Sequence, residues 1–210
     1  DEIIKAIRQH DIDWLFIIGW SQIASEDVIQ SCKKGAIGAH PTLLPKGRGR
    51  AAIPWAIIKG LDSTGLTFFN MDKGVDTGDI LEQVEIPITK DETSSTLYKK
   101  VNIAHTDLIE KIWPKIIENS LVGEKQNESQ ATYWEGRKPK DGEIKPNNMT
   151  VEEADRLVRA TTKPYPGAFI LQNNKKVIIW SGTKNEDIKG MKIVCKDGIF
   201  TAINTETLEI

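Results

Sequence analysis

The stretch GAIGAHPTLLPKGRGRAAIPWAIIKGLDSTGLTFFNMDKGVDTGDILEQ, Gly35 to Gln83, decides the fold. It opens on a short apolar run, Ala36 to Ala39, that reads as a strand and delivers His40 at its end. A Pro-bracketed, basic, glycine-rich loop follows from Pro45 to Arg50. Pro54 to Lys59 begins on a proline, which suits the first turn of a helix. Thr64 to Met71 and Ile80 to Ile88 read as strands, joined by the turn-rich acidic loop Asp72 to Asp79. Strand, helix and strand in this order indicate an α/β protein, and in open α/β sheets the carboxyl ends of strands face the ligand crevice. His40 lies at such an end, and Asp76 follows 36 residues later beyond a neighbouring strand. An imidazole and a carboxylate so placed can pass a proton between them. An isolated histidine there would read as a packing or capping residue.

Outward from this stretch, Asp1 to His10 reads as a helix with Ile3, Ile4 and Ile7 on one stripe. Ile12 to Gly19 is an unbroken apolar run, the pattern of a strand covered on both faces. Ser25 to Cys32 reads as a short helix. Downstream, Leu97, Val101, Ala104, Leu108, Ile112 and Ile116 recur at helical spacing over Ser95 to Asn119, with Pro114 placed to kink that helix. The polar segment Gly123 to Asn148, which carries a second basic patch from Gly136 to Asp141, reads as a link. Thr150 with Glu153 forms a capping box for a helix ending near Thr161. Ala168 to Leu171, Lys176 to Ser181, Met191 to Cys195 and Ile199 to Ile203 read as short strands separated by Asn-Asn, Gly and Asp-Gly turns, as in a small OB-like barrel.

Composition narrows the function. A net charge of −2 leaves no electrostatic footprint for nucleic acid, and the six tryptophans are scattered rather than set in a stacking row. Cys32 and Cys195 have no metal-like spacing and read as reduced thiols of a cytoplasmic protein. No apolar run approaches the ~20 residues needed to span a bilayer, and no signal peptide opens the chain.

HPTLLPKGRG, PWAIIKG, TGLTFFNMDKGVDTGDIL and the later ATTKPYPGAF together resemble the 10-formyltetrahydrofolate-dependent formyltransferases. That family includes methionyl-tRNA formyltransferase, glycinamide ribonucleotide formyltransferase and the sugar N-formyltransferases. The resemblance implies a Rossmann-like catalytic core over 1–123, a linker over 124–149 and an OB-like C-terminal subdomain over 150–210. It also implies that the sheet's N-terminal strands are missing, by truncation or because the chain starts at a first ordered residue, which would leave apolar strand edges open.

The family's catalytic trio is Asn-x-His with a distant Asp. His40 matches the His and Asp76 the Asp, implying His40 as general acid and oxyanion donor and Asp76 as its orienter and relay. Gly38 stands where the Asn belongs. Loss of one oxyanion donor costs ~10²–10³ in rate. Ser21, Gln22 or Asn70 on facing loops is expected to substitute, with a backbone N–H, a water or loss of activity as alternatives. The resemblance places the co-substrate, 10-formyltetrahydrofolate, between Trp20, Ser21, Gln22 and Ile23 on one side and the loop carrying Asp72, Gly74 and Val75 on the other. Thr42, Leu43, Lys46 and Arg48 are expected on the acceptor side, where Lys46, Arg48 and Arg50 either meet phosphate oxygens or form a solvated loop.

Residues 124–210 hold fourteen Lys and Arg against thirteen Asp and Glu, a net of +1, too little excess for a tRNA-holding domain. The expected acceptor is therefore the amino group of a small nucleotide-linked deoxyamino sugar, as in polysaccharide biosynthesis. No nucleic-acid or membrane partner is expected, and a homodimer stays open. Methionyl-tRNA formyl transfer, hydrolysis of formyl-folate and non-catalytic folate binding are the alternatives.

Overall fold

The computed structural model describes residues 2–20 and 24–209. In chain order it runs α1 (Glu2–Gln9), β1 (Trp14–Ile17), α2 (Glu26–Ile29), β2 (Gly35–His40), β3 (Arg48–Gly49), α3 (Ala52–Ile58), β4 (Ser63–Asn70), β5 (Ile80–Pro87), α4 (Ser94–Ile117), β6 (Tyr133–Trp134), α5 (Val151–Thr161), β7 (Ala168–Gln172), β8 (Lys175–Thr183), β9 (Met191–Val194) and β10 (Ile199–Glu209). The chain is α/β and divides into two compact units, one of residues 1–52, 64–87 and 101–135, the other of residues 53–63, 88–100 and 136–210. The segment expected as a linker is thus folded on both sides: 124–135 joins the first unit and 136–149 the second.

The first unit holds a four-stranded mixed sheet in the order β1-β2-β4-β5. β1 pairs parallel with β2, and β2 pairs antiparallel with β4. Residues directly opposite across a ladder share a face. His40 therefore stands with Thr67 and Gly38 with Phe69, whereas Ile37 and Asn70 point the other way. The Phe68 ring meets His105 of α4, which places that helix on the face opposite His40. The α4 residues Val101, Ala104, Leu108 and Ile112 are buried, as their spacing requires, and the helix runs on through Pro114 to Ile117. β1 is shorter than the apolar run suggested, and its four residues are only half-buried because the strand lies at the edge of this sheet.

The second unit holds an antiparallel sheet ordered β7-β8-β10-β9 against α5. Thr150 and Glu153 close the capping box that starts α5. Asn173 and Asn174 both take positive φ, +50° and +57°, so the β7–β8 hairpin turns on the two residues whose side chains best tolerate it. β10 pairs with β9 over 199–202 and with β8 over 201–209, and bulges between Ala202 and Thr205 curl the sheet. Ile144, Leu157, Val158, Ile179, Ile193 and Phe200 fill the core beneath it.

Candidate active site

His40 ends β2 and is buried. Its Nε2 lies 2.7 Å from the Gly47 carbonyl oxygen and donates to it. Its Nδ1 lies 3.5 Å from Asp76 Oδ2, an ion-pair distance. The structure therefore brings together the histidine and the aspartate that the sequence singled out. Asp76 adopts a left-handed backbone, φ +56°. Its Oδ2 accepts a 2.8 Å hydrogen bond from the Gly49 N–H, and its carbonyl accepts one of 2.9 Å from Gln126 Nε2.

The loop that carries Gly47 and Gly49 is not the flexible basic loop its composition suggests. β3 pairs with β6, and the N–H groups of Gly47, Arg48 and Arg50 donate to Thr132 Oγ1, Thr132 O and Trp134 O. Gly49 sits at φ +106°, and a Cβ there would lie 2.4 Å from the Trp134 carbonyl oxygen, so only glycine allows this approach. Arg48 locks the strap. Its side chain is 0% exposed. Its guanidinium donates to Gln126 Oε1 from Nε and Nη2, to both Glu128 carboxylate oxygens, and to the Tyr133 hydroxyl. Glu128 first, and Tyr133 after it, hold the guanidinium above its usual protonation range despite burial. All five donors of the arginine are engaged. Arg48 is therefore not available to acceptor phosphate, and that expectation is corrected. Lys46 remains exposed, and Leu43 is half-buried. Thr42 is buried, and its Oγ1 has no hydrogen-bond partner among the described residues.

Gly38 is explained by packing. A Cβ on it would lie 2.7 Å from Phe69 Cζ and 3.1 Å from Met71 Cγ. The Phe69 ring, directly across the ladder, fills the space a larger residue would need. Asn70 cannot supply the missing amide on this side. It lies on the opposite face and lines a separate cavity of about 590 Å³ with Trp14, Lys34, Lys115 and Asn119. Ser21 and Gln22, the other expected substitutes, and Ile23 lie outside the described residues. Trp20, just before them, is 62% exposed, and Val75 is 48% exposed. Asp72 folds back on its own loop, accepting from the Gly74 N–H at 2.9 Å and the Thr77 hydroxyl at 2.7 Å.

Gln126 and Gly49 escaped the sequence reading. Gln126 lies in a polar segment with no periodicity, and nothing in its surroundings marks it. Gly49 was visible only as part of a glycine-rich loop.

The fold has counterparts. Residues 1–112 match the family model described as formyl transferase, and residues 137–210 match that described as formyl transferase, C-terminal domain. The chain belongs to the formyl transferase family. The bifunctional polymyxin resistance protein ArnA of Wigglesworthia glossinidia brevipalpis is 38% identical over 168 residues. That match takes in 80% of this formyl transferase chain but only 26% of the relative, so the chain spans about a quarter of that protein's length. Methionyl-tRNA formyltransferase from Clostridium thermocellum superposes with a TM-score of 0.77 at 22% identity, over 99% of this chain and 82% of that one. The N-formyltransferase from Helicobacter canadensis, solved with folinic acid and dTDP-3-aminofucose, superposes with a TM-score of 0.68 at 22% identity, over 91% and 73%. HypX from Aquifex aeolicus, a neighbour at 17% identity with a TM-score of 0.81 over 97% of this chain and 37% of that one, was solved in complex with tetrahydrofolic acid. Among the described residues no helix is long and apolar enough to cross a membrane, and no cluster could hold a metal ion. Cys32 and Cys195 are free and buried.

Proposed function

We propose that this protein transfers a formyl group from 10-formyltetrahydrofolate to the amino group of a nucleotide-linked deoxyamino sugar. The observation that carries the reading is the His40–Asp76 pair, held by Gly47 and Gly49 of a strap that leaves little freedom to either side chain. The nucleotide sugar bound by the Helicobacter canadensis relative supports the acceptor class. So does the near-neutral charge of residues 124–210.

The residues present fit a folate. Trp20 and Val75 expose apolar surface of the kind a flat ring stacks on, and Asp72 shapes the loop while committing its own carboxylate to it. When bound, 10-formyltetrahydrofolate supplies the electrophilic formyl carbon. The chain supplies proton management. The Gly47 carbonyl claims the proton at Nε2, so His40 works at Nδ1, taking a proton from the incoming amine and returning it to the leaving nitrogen. Asp76 stands beside Nδ1 and stabilises the ring while it carries the second proton. Lys46 and Arg50 are the loop's exposed cations, open to acceptor phosphate.

The test is formyl transfer by the purified protein, with a panel of nucleotide-linked amino sugars. Turnover that depends on the sugar is expected. Formyl-folate consumption without any acceptor would instead indicate hydrolysis, formylation of charged tRNA alone would indicate the tRNA branch, and folate binding without turnover a non-catalytic module.

A further inference from the structure

Asp76 is placed by contacts from a side chain outside the His40–Asp76 pair. Gln126 donates from Nε2 to two carbonyls, Asp76 at 2.9 Å and Gly78 at 2.7 Å, and so pins both ends of the turn that holds Asp76 at φ +56°. Its other end, Oε1, accepts from Arg48 Nε at 3.1 Å and Nη2 at 2.7 Å. The amide has only one orientation that works. Arginine cannot accept a hydrogen bond and carbonyl oxygens cannot donate one, so Oε1 must face Arg48 and Nε2 must face the turn. Arg48 is fixed in its turn by Glu128 and Tyr133, which absorb its remaining donors. A left-handed backbone is unfavourable for a non-glycine residue unless its surroundings enforce it. Here the Gln126 amide bonds the main chain and the Gly49 N–H bonds the carboxylate.

We propose that Arg48 and Gln126 are positioning residues for formyl transfer: the buried guanidinium orients the Gln126 amide, and that amide holds the Asp76 turn so that its carboxylate faces His40 Nδ1. This rests on the proposed transferase reading and goes beyond it, because neither residue touches substrate.

The decisive variant is Gln126→Glu in the intact protein. It keeps the shape and still accepts from Arg48, but a carboxylate cannot donate to the two carbonyls. The expected result is a loss in kcat of about tenfold or more, with KM for folate and acceptor within about threefold of the parent. Placed on an Asp76→Asn background, Gln126→Glu should cost almost nothing further, because its effect runs through Asp76. Gln126→Leu, which removes donor and acceptor together, should show the same lack of additivity, and retained folate binding reports that either variant is folded. A kcat for Gln126→Glu within about twofold of the parent, or losses that multiply in full with Asp76→Asn, would overturn the positioning role. Asp76→Asn and His40→Asn serve as the controls. If both turn over at the parental rate, the transferase site itself has been misassigned and the positioning role falls with it; if both lose activity while Gln126→Glu stays within about twofold of the parent, only the positioning role falls.

Discussion

His40 has one ring nitrogen anchored and one beside a carboxylate. A neutral imidazole carries a single proton, and the Gly47 carbonyl, 2.7 Å away, draws it to Nε2. His40→Asn keeps a polar atom beside Asp76 but replaces the imidazole with an amide that cannot take up and return a proton, and should lower kcat by about 10²–10⁴ while folate affinity stays within about tenfold, read by single-turnover kinetics and fluorescence titration. Parental activity in that variant would end the assignment. Gly38 invites the opposite experiment, since Asn there would match the family's trio. The Phe69 ring makes that substitution a packing problem. Gly38→Ala should destabilise the chain by about 1–3 kcal/mol in urea unfolding, and Gly38→Ala with Phe69→Leu should recover most of that loss. A neutral Gly38→Ala would mean the ring moves aside freely. The backbone angle is not the constraint, since Gly38 is not among the residues at positive φ.

At the scale of elements, Glu92 shows how a buried charge is put to use. It lies just before α4, in the second unit, with its side chain 2% exposed. Burial alone would push its carboxyl up, but hydrogen bonds from Lys100, Thr96 and Thr89 outweigh burial and hold it below the usual carboxylate range. A group whose folded pKa is depressed stabilises the fold above its unfolded pKa and loses that contribution as pH falls through the folded one. Acid should therefore weaken the protein through this site, and Glu92→Gln should flatten the acid limb of a stability–pH curve while costing about 1–3 kcal/mol at neutral pH. An unchanged acid limb would show that Lys100 is not its effective partner. The elements themselves were largely readable from local pattern. The capping box of α5, the stripe of α4 and the Asn-Asn hairpin are short-range signals, and each sits where the sequence placed it. Arg48 was misread because its partners are not local. Gln126, Glu128 and Tyr133 lie 78 to 85 residues away, and no periodicity announces them. β1 was overextended for a similar reason, since an apolar run does not reveal whether a neighbour covers both of its edges.

For the whole molecule, charge is the property that separates one acceptor from another. The chain carries −2 in all, and residues 124–210 carry +1. An acceptor held through 6–10 backbone phosphates loses about 10³–10⁵ in affinity between 50 and 200 mM salt, because each neutralised phosphate releases counterion. Such binding needs a crowd of free cations. Arg48 is not free, since Gln126, Glu128 and Tyr133 take all its donors, and Arg137 lies over the Trp55 ring. Lys46 and Arg50 of that loop are exposed, which suits one or two phosphates. The acceptor KM should therefore rise by less than about tenfold over that salt range, with kcat unchanged. Lys46→Ala should raise the acceptor KM by about tenfold at low salt and leave little salt dependence behind, as expected when one charge-assisted contact is lost. A log–log slope as steep as about −6 would mean many phosphates are engaged, and would move the acceptor from a nucleotide sugar to a nucleic acid.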